Sequence, residues 1–74
     1  MTIGEKLRAL REERSLTLDD VARDLELTRQ AIYNYESDTR IPRDEIKIKI
    51  CQYYGVSVEN IFFDQKSNEK LLKL

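Results

Sequence analysis

The sequence predicts an all-α domain of four to five short helices. Three observations carry that expectation. Apolar residues recur at helical spacing in several successive segments. Thr or Ser stands directly before three of those segments, where a helix N-terminus needs a side-chain acceptor. Only two Gly and one Pro interrupt the 74 residues, which suits short connections between helices.

Ile3, Leu7, Leu10 and Arg14 recur at helical spacing, so residues 3–14 read as an amphipathic first helix, broken at Ser15 and Leu16. Thr17 precedes Leu18-Asp19-Asp20. A Thr with an acid three residues on is a capping-box pattern, and both acids suit the positive end of the helix dipole. Leu18, Val21, Ala22 and Leu25 then form one apolar face, and this second helix is expected to end near Leu25. Thr28 is the next cap, and a third helix is expected to run to about Ser37. On it Ala31, Ile32 and Tyr35 point one way. Gln30, Tyr33, Asn34 and Ser37 point the other way, with Arg29 near the start.

Asp38 to Pro42 reads as a loop. Residues 43–54 carry two patterns. Ile46-Lys47-Ile48-Lys49-Ile50 alternates like a strand, yet Ile46, Ile50 and Tyr53/Tyr54 also fit helical spacing. A lone strand among helices would have no partner, so helix is the expectation, with Ile48 partly exposed or covered by a partner. Gly55 suits a helix C-terminus, and Ser57 can cap a short fifth helix carrying Val58, Ile61 and Phe62. The expected domain is 1–63. Residues 64–74 form a polar tail that is either disordered or a final turn of helix, and a place for a dimer or protein contact.

Composition excludes several functions. One domain is the ceiling at this length. Histidine is absent and Cys51 is the single cysteine. An internal disulfide and an ordinary zinc site are therefore excluded, and an unpaired Cys fits a reducing compartment. Cys51 itself reads as a small buried apolar residue. The first residues are charged where a signal peptide needs an apolar run, and no stretch is long enough to span a bilayer. A cytoplasmic protein with no membrane association is expected. No nucleophile stands beside a base and no glycine loop could cradle phosphate, so neither an enzyme nor a cofactor is expected. Thirteen Lys and Arg against fourteen Asp and Glu give a net charge of −1. Nucleic-acid binders are usually basic, so any such binding must rest on local charge and be strongly salt-dependent.

Two short helices joined by a tight turn, the second with an outward polar face, make the helix-turn-helix plan, here at about 17–37. The run Leu16-Thr17-Leu18-Asp19-Asp20-Val21-Ala22 through Thr28-Arg29-Gln30-Ala31-Ile32-Tyr33-Asn34-Tyr35-Glu36 resembles the Cro/CI-type (lambda-repressor-like, XRE) family of regulators. Arg40-Ile41-Pro42-Arg43 and Tyr54-Gly55-Val56-Ser57-Val58-Glu59-Asn60-Ile61-Phe62 look like that family's usual ending. The resemblance covers about residues 3–63. It implies a compact lambda-repressor-like domain that binds double-stranded DNA and regulates transcription. Three positions depart from the family pattern. Leu18 stands where Gln often touches the DNA backbone or buttresses a neighbouring contact. Glu26 stands where the turn usually has Gly. Asp38 stands where Gly is common, and is expected to bring a negative charge near the phosphates.

Arg pairs with guanine through two hydrogen bonds, and Gln or Asn pairs with adenine in the same way. Arg29, Gln30 and Asn34, with Tyr33 on sugar or a thymine methyl, are therefore the expected base contacts at the helix end that approaches the groove. Arg40 and Arg43 flank Pro42 and are expected phosphate contacts, with Thr17 and Thr28 offering helix N-terminal N–H donors. By the resemblance, Arg11 of the first helix pairs with Glu36 at the end of the third. Phe62 and Phe63 are adjacent and cannot both face one core. With Ile48 and Val58 they are the candidates for a dimer contact, which would set two recognition helices about 34 Å apart on a pseudo-palindromic operator. Four Tyr could suggest a single-strand stacking platform, but Tyr35, Tyr53 and Tyr54 occupy core-like positions. The expectation is a homodimeric repressor, no activating region or sensor domain being visible. The alternative is a protein-interaction module, or an antitoxin-like partner protein, that keeps the fold.

Overall fold

A computed structural model describes residues 1–63. The expectations for the tail, 64–74, lie outside the described residues. The chain forms α1 (Ile3–Glu13), α2 (Leu18–Leu25), α3 (Arg29–Glu36), α4 (Asp44–Tyr54) and α5 (Val58–Phe62), with no strand among the described residues. The alternating isoleucines of α4 are helical, and the helix buries Ile50, Cys51 and Tyr54 while Ile48 remains 50% exposed. No helix among the described residues is long and apolar enough to cross a membrane.

Four of the five helix starts carry a side-chain cap. Thr17 and Thr28 accept the N–H of Asp20 and Ala31, both at 3.0 Å, and Ser57 accepts that of Asn60 at 3.2 Å. At Thr17 the box closes, because the Asp20 carboxylate accepts the Thr17 N–H at 2.9 Å. That bond first, and the Thr17 hydroxyl next, hold Asp20 below the ordinary carboxylate pKa. Thr2 and Glu5 form a second capping box at α1, which the sequence reading above did not identify. α4 begins at Arg43 without a side-chain cap.

The helix ends are less ordinary. Ser15, Glu26 and Asp38 all have positive φ, as does Gly55 after α4. Ser15 and Glu26 leave the ends of α1 and α2 as single left-handed residues. The carbonyls of Arg11 and Ala22 then accept Leu16 N–H at 3.1 Å and Leu27 N–H at 2.9 Å. Glu26, at φ 58 and ψ 41, carries a Cβ in a region that costs an L-residue about 1–2 kcal/mol. Glycine removes that strain but adds about 0.4–1 kcal/mol of unfolded-state entropy. Glu26→Gly should therefore stabilise by roughly 0.5–1 kcal/mol and raise the melting temperature by about 2–8 °C. A thermal melt showing no rise would count against the strained turn.

The core unites Leu7, Val21, Ala22, Leu25, Ile32, Tyr35, Ile50, Cys51, Tyr54, Ile61 and Phe62. α3 packs on both α1 and α2, so its apolar stripe is covered from two sides; α4 packs on α5 and α2, and α1 touches α5. Burying the Ile32–Tyr35 face of so short a helix, at about 25 cal/mol per Å² of apolar area, is what holds it against the domain. Phe62 joins this core at 8% exposure. Of the four residues expected at a dimer contact, Phe62 serves its own chain and Val58 is partly buried against the same core, while Ile48 and Phe63 are exposed, the latter at 47%.

Candidate nucleic-acid interface

The opposite face of α3 is free of the core. Arg29 and Gln30 are exposed in its first turn, Tyr33 is 53% exposed, and Asn34 is partly exposed one turn further on. The expected readers thus share one surface, and three of them have a polar partner. The Arg29 guanidinium lies 3.4 Å from the Asp19 carboxylate across the helix-turn-helix, with both side chains in solvent. An exposed pair of this kind contributes roughly 0–1 kcal/mol. Gln30 donates through Nε2 to Oδ1 of Asn34 at 3.0 Å. The sequence reading did not single out Asp19. No spacing rule pairs the first turn of α2 with the first turn of α3, so this contact rests on how the two helices cross.

α3 is fixed at its far end by Arg11. The guanidinium donates Nε to Glu36 Oε2 at 2.8 Å and Nη2 to Oε1 at 2.9 Å, while Nη1 donates to the Leu16 carbonyl at 2.8 Å. One side chain therefore ties α1, the α1–α2 connection and α3. The side chains are 13% and 7% exposed, so the pair is largely out of water. The hydrogen bonding that Arg11 donates to Glu36 raises the Arg11 pKa above its usual value. Nearby, burial first, and then the Glu36 charge, raises the Tyr54 pKa. At the surface, the Tyr53 hydroxyl donates to Asp24 at 2.6 Å and links α4 to α2. Burial, and then that bond, push the Tyr53 pKa up to about 12.

The loop after α3 hangs on Asn34, whose backbone carbonyl accepts the N–H of Thr39 at 3.0 Å and of Arg40 at 3.1 Å. Arg40 and Arg43 are both exposed on either side of the buried Pro42. Between Thr28 and Arg43 three cations, Arg29, Arg40 and Arg43, face two anions, Glu36 and Asp38. Both anions have dedicated partners. Glu36 is held by Arg11. The Asp38 carboxylate accepts the Thr2 hydroxyl at 2.6 Å and the Gly4 N–H at 2.8 Å. The free negative charge expected at Asp38 is thus turned onto the N-terminus of α1, where the helix dipole favours it. Thr17 and Thr28 each use a hydroxyl lone pair as the cap acceptor, which leaves the O–H, beside the first-turn backbone N–H groups, to donate to an anion. Beside the readers, a shallow cleft is lined by Arg8, Arg11, Leu18, Tyr33, Glu36 and Ser37. Arg8 and Leu18 were not among the expected site residues, because nothing in local spacing places α1 beside α2 and α3. Groups of His, Cys, Asp or Glu able to hold a metal ion are absent among the described residues.

Two short helices packed across a tight turn, the second with its polar face outward and its end braced by a buried ion pair, define a helix-turn-helix regulator domain. Residues 4–68 match the family of the helix-turn-helix domain, and the chain belongs to it, as a Cro/CI-type (XRE) regulator. It is 34% identical over 70 residues to the cryptic phage CTXphi transcriptional repressor RstR of Vibrio cholerae, an alignment covering 92% of this chain and 63% of that protein. The chain therefore spans somewhat less than two thirds of that relative's length. It is also 35% identical over 57 residues to an uncharacterized HTH-type transcriptional regulator of Methanocaldococcus jannaschii, covering 77% of this chain and 86% of the relative.

Proposed function

We propose that the chain is a sequence-specific, double-stranded DNA-binding repressor that reads the major groove with α3 as a homodimer on a pseudo-palindromic operator. The observation that carries this reading is the exposed row Arg29, Gln30, Tyr33 and Asn34 on a helix whose other face is locked in the core. Its amide and guanidinium groups are those that match base edges. Arg29 is the guanine reader; its exposed pairing with Asp19 is weak enough to be exchanged for two hydrogen bonds to a base. Arg40 and Arg43 anchor the backbone, together with N–H donors of the first turns after Thr17 and Thr28. The exposed Ile48 and Phe63, with the edge of Val58, are the surface for the second copy. Repression is supported by the likeness to a phage repressor.

Selection of bound duplexes from a random pool at low salt tests this directly. The chain should enrich one sequence with two related halves, and Arg29→Ala should weaken binding to it by about 1–3 kcal/mol and relax preference at one base pair of each half. Affinity should fall steeply with salt, since the phosphate contacts release counterions. Failure to enrich any sequence would favour the protein-interaction alternative. Sedimentation showing a monomer both free and on the selected duplex would remove the homodimer.

A further inference from the structure

We infer that Arg8 is a further phosphate anchor, holding one backbone phosphate of the bound duplex in the cleft where α1, α2 and α3 meet; the inference rests on the DNA reading proposed above. The cleft has a volume of about 220 Å³ and is lined by Arg8 and Arg11 of α1, Leu18 of α2, and Tyr33, Glu36 and Ser37 at the end of α3. Pockets for small molecules are usually larger, at roughly 300–1,000 Å³. A phosphate group suits the smaller space, which is still several times the about 30 Å³ share of one water. Position selects the occupant. On one side Leu18 opens α2, whose first turn faces the backbone under that reading. On the other, Tyr33 belongs to the row that meets the bases. A strand in register with both passes over the cleft.

Charge singles out Arg8 among the lining residues. Arg11 donates to Glu36 at 2.8 and 2.9 Å, so those two charges answer each other. The Ser37 hydroxyl is engaged with the Asn34 carbonyl at 3.3 Å and with the Thr39 hydroxyl at 2.8 Å. The remaining cation of the cleft is Arg8. Its partner is Glu12, 3.1 Å from Nε, and the two side chains are 64% and 55% exposed. Exposed pairs at this spacing are weak, and Arg ahead of Glu is the poorer order along a helix. Glu12 takes Nε alone among the described residues, so both terminal nitrogens remain for an anion. A phosphate accepts two parallel hydrogen bonds from such a fork, and neutralising it releases a counterion.

The test uses the duplex selected by the unaltered chain. Arg8→Ala should bind it roughly ten-fold more weakly, lower the slope of log affinity against log salt by about 0.9 per subunit, and leave the preferred bases unchanged. Arg8→Gln, which keeps much of the stem and drops the charge, should do the same. Ala is the best helix former and Arg8 is exposed, so thermal melts should show a folded variant. Phosphates of the duplex are then replaced one at a time by neutral methylphosphonate. In each half, one position should weaken the unaltered protein about as much as Arg8→Ala does. The same replacement should weaken Arg8→Ala no further, as expected when both changes act on one contact. Arg40→Ala should stay sensitive at that position. An unchanged salt slope, or a lowered slope with no position silenced in Arg8→Ala, would overturn the anchor while leaving DNA binding intact. Absence of any enriched sequence would overturn both.

Discussion

Glu36→Gln is expected to lower the unfolding free energy by about 3–5 kcal/mol, read as a shift of the urea midpoint at unchanged slope. The substitution keeps the shape of the side chain and removes its charge. Arg11 then retains its bond to the Leu16 carbonyl but faces a neutral amide from a position 13% exposed. An uncompensated buried cation is the expensive outcome, and a domain of this size has only about 3–9 kcal/mol in total. The loss should be felt in α3 first, because Glu36 is its last residue and α3 is too short to persist without tertiary support. A double variant separates the causes. Arg11→Met with Glu36→Leu removes both charges and should recover much of the stability. If the double variant is no more stable than Glu36→Gln, the damage comes from lost geometry and not from the orphaned charge.

How far this arrangement was legible in the sequence depends on how local each signal is. Thr17, Thr28 and Ser57 announce helix starts because a cap and the N–H it accepts lie three residues apart, and all three helices begin there. The helical reading of the alternating isoleucines followed from a global argument, the absence of a partner strand, and α4 bears it out. The Arg11–Glu36 proximity, 25 residues apart, could be expected only by resemblance, since no spacing rule pairs the first helix with the third. Asp38 shows the opposite limit. Its place after α3 suggested a loose acid near the expected phosphates, whereas its carboxylate is held by Thr2 and Gly4, more than thirty residues earlier. Phe62 and Phe63 show a third. Phe62 closes α5 and Phe63 follows it in extended backbone, so the two diverge, but which one enters the core is decided by how α5 meets α4 and α1, and that is Phe62. Within the candidate site, the residue types were legible and their pairings were not. That Gln30 leans on Asn34 and Arg29 on Asp19 depends on rotamers and on how α2 meets α3.

The same junction gives the second large effect. Gly4→Ala should destabilise the domain by about 2–4 kcal/mol, although on an open helix face the change would help by roughly 1 kcal/mol. A Cβ at Gly4 would overlap the Glu36 carbonyl oxygen and stand 2.7 Å from its carbon and 2.9 Å from Cγ of Asp38. Two of these atoms are backbone and cannot rotate away, so α1 must withdraw from the end of α3. Withdrawal strains the close-packed contact, at about 1–3 kcal/mol. It also stretches the bonds from Thr2 and Gly4 to the Asp38 carboxylate, and hydrogen bonds to charged groups are worth about 1.5–3 kcal/mol each. Asp38→Ala tests the second part alone, removing the acceptor without introducing a clash. Because both changes act on one contact, the double variant should lose less than the sum of the singles. The consequence for recognition follows from chain order. The end of α3 and Asp38 lead directly into the loop bearing Arg40 and Arg43, so a displaced α1 should weaken binding at every sequence alike, leaving the preferred bases unchanged. A Gly4→Ala protein that melts at or above the parent temperature would show that α1 does not approach α3 this closely.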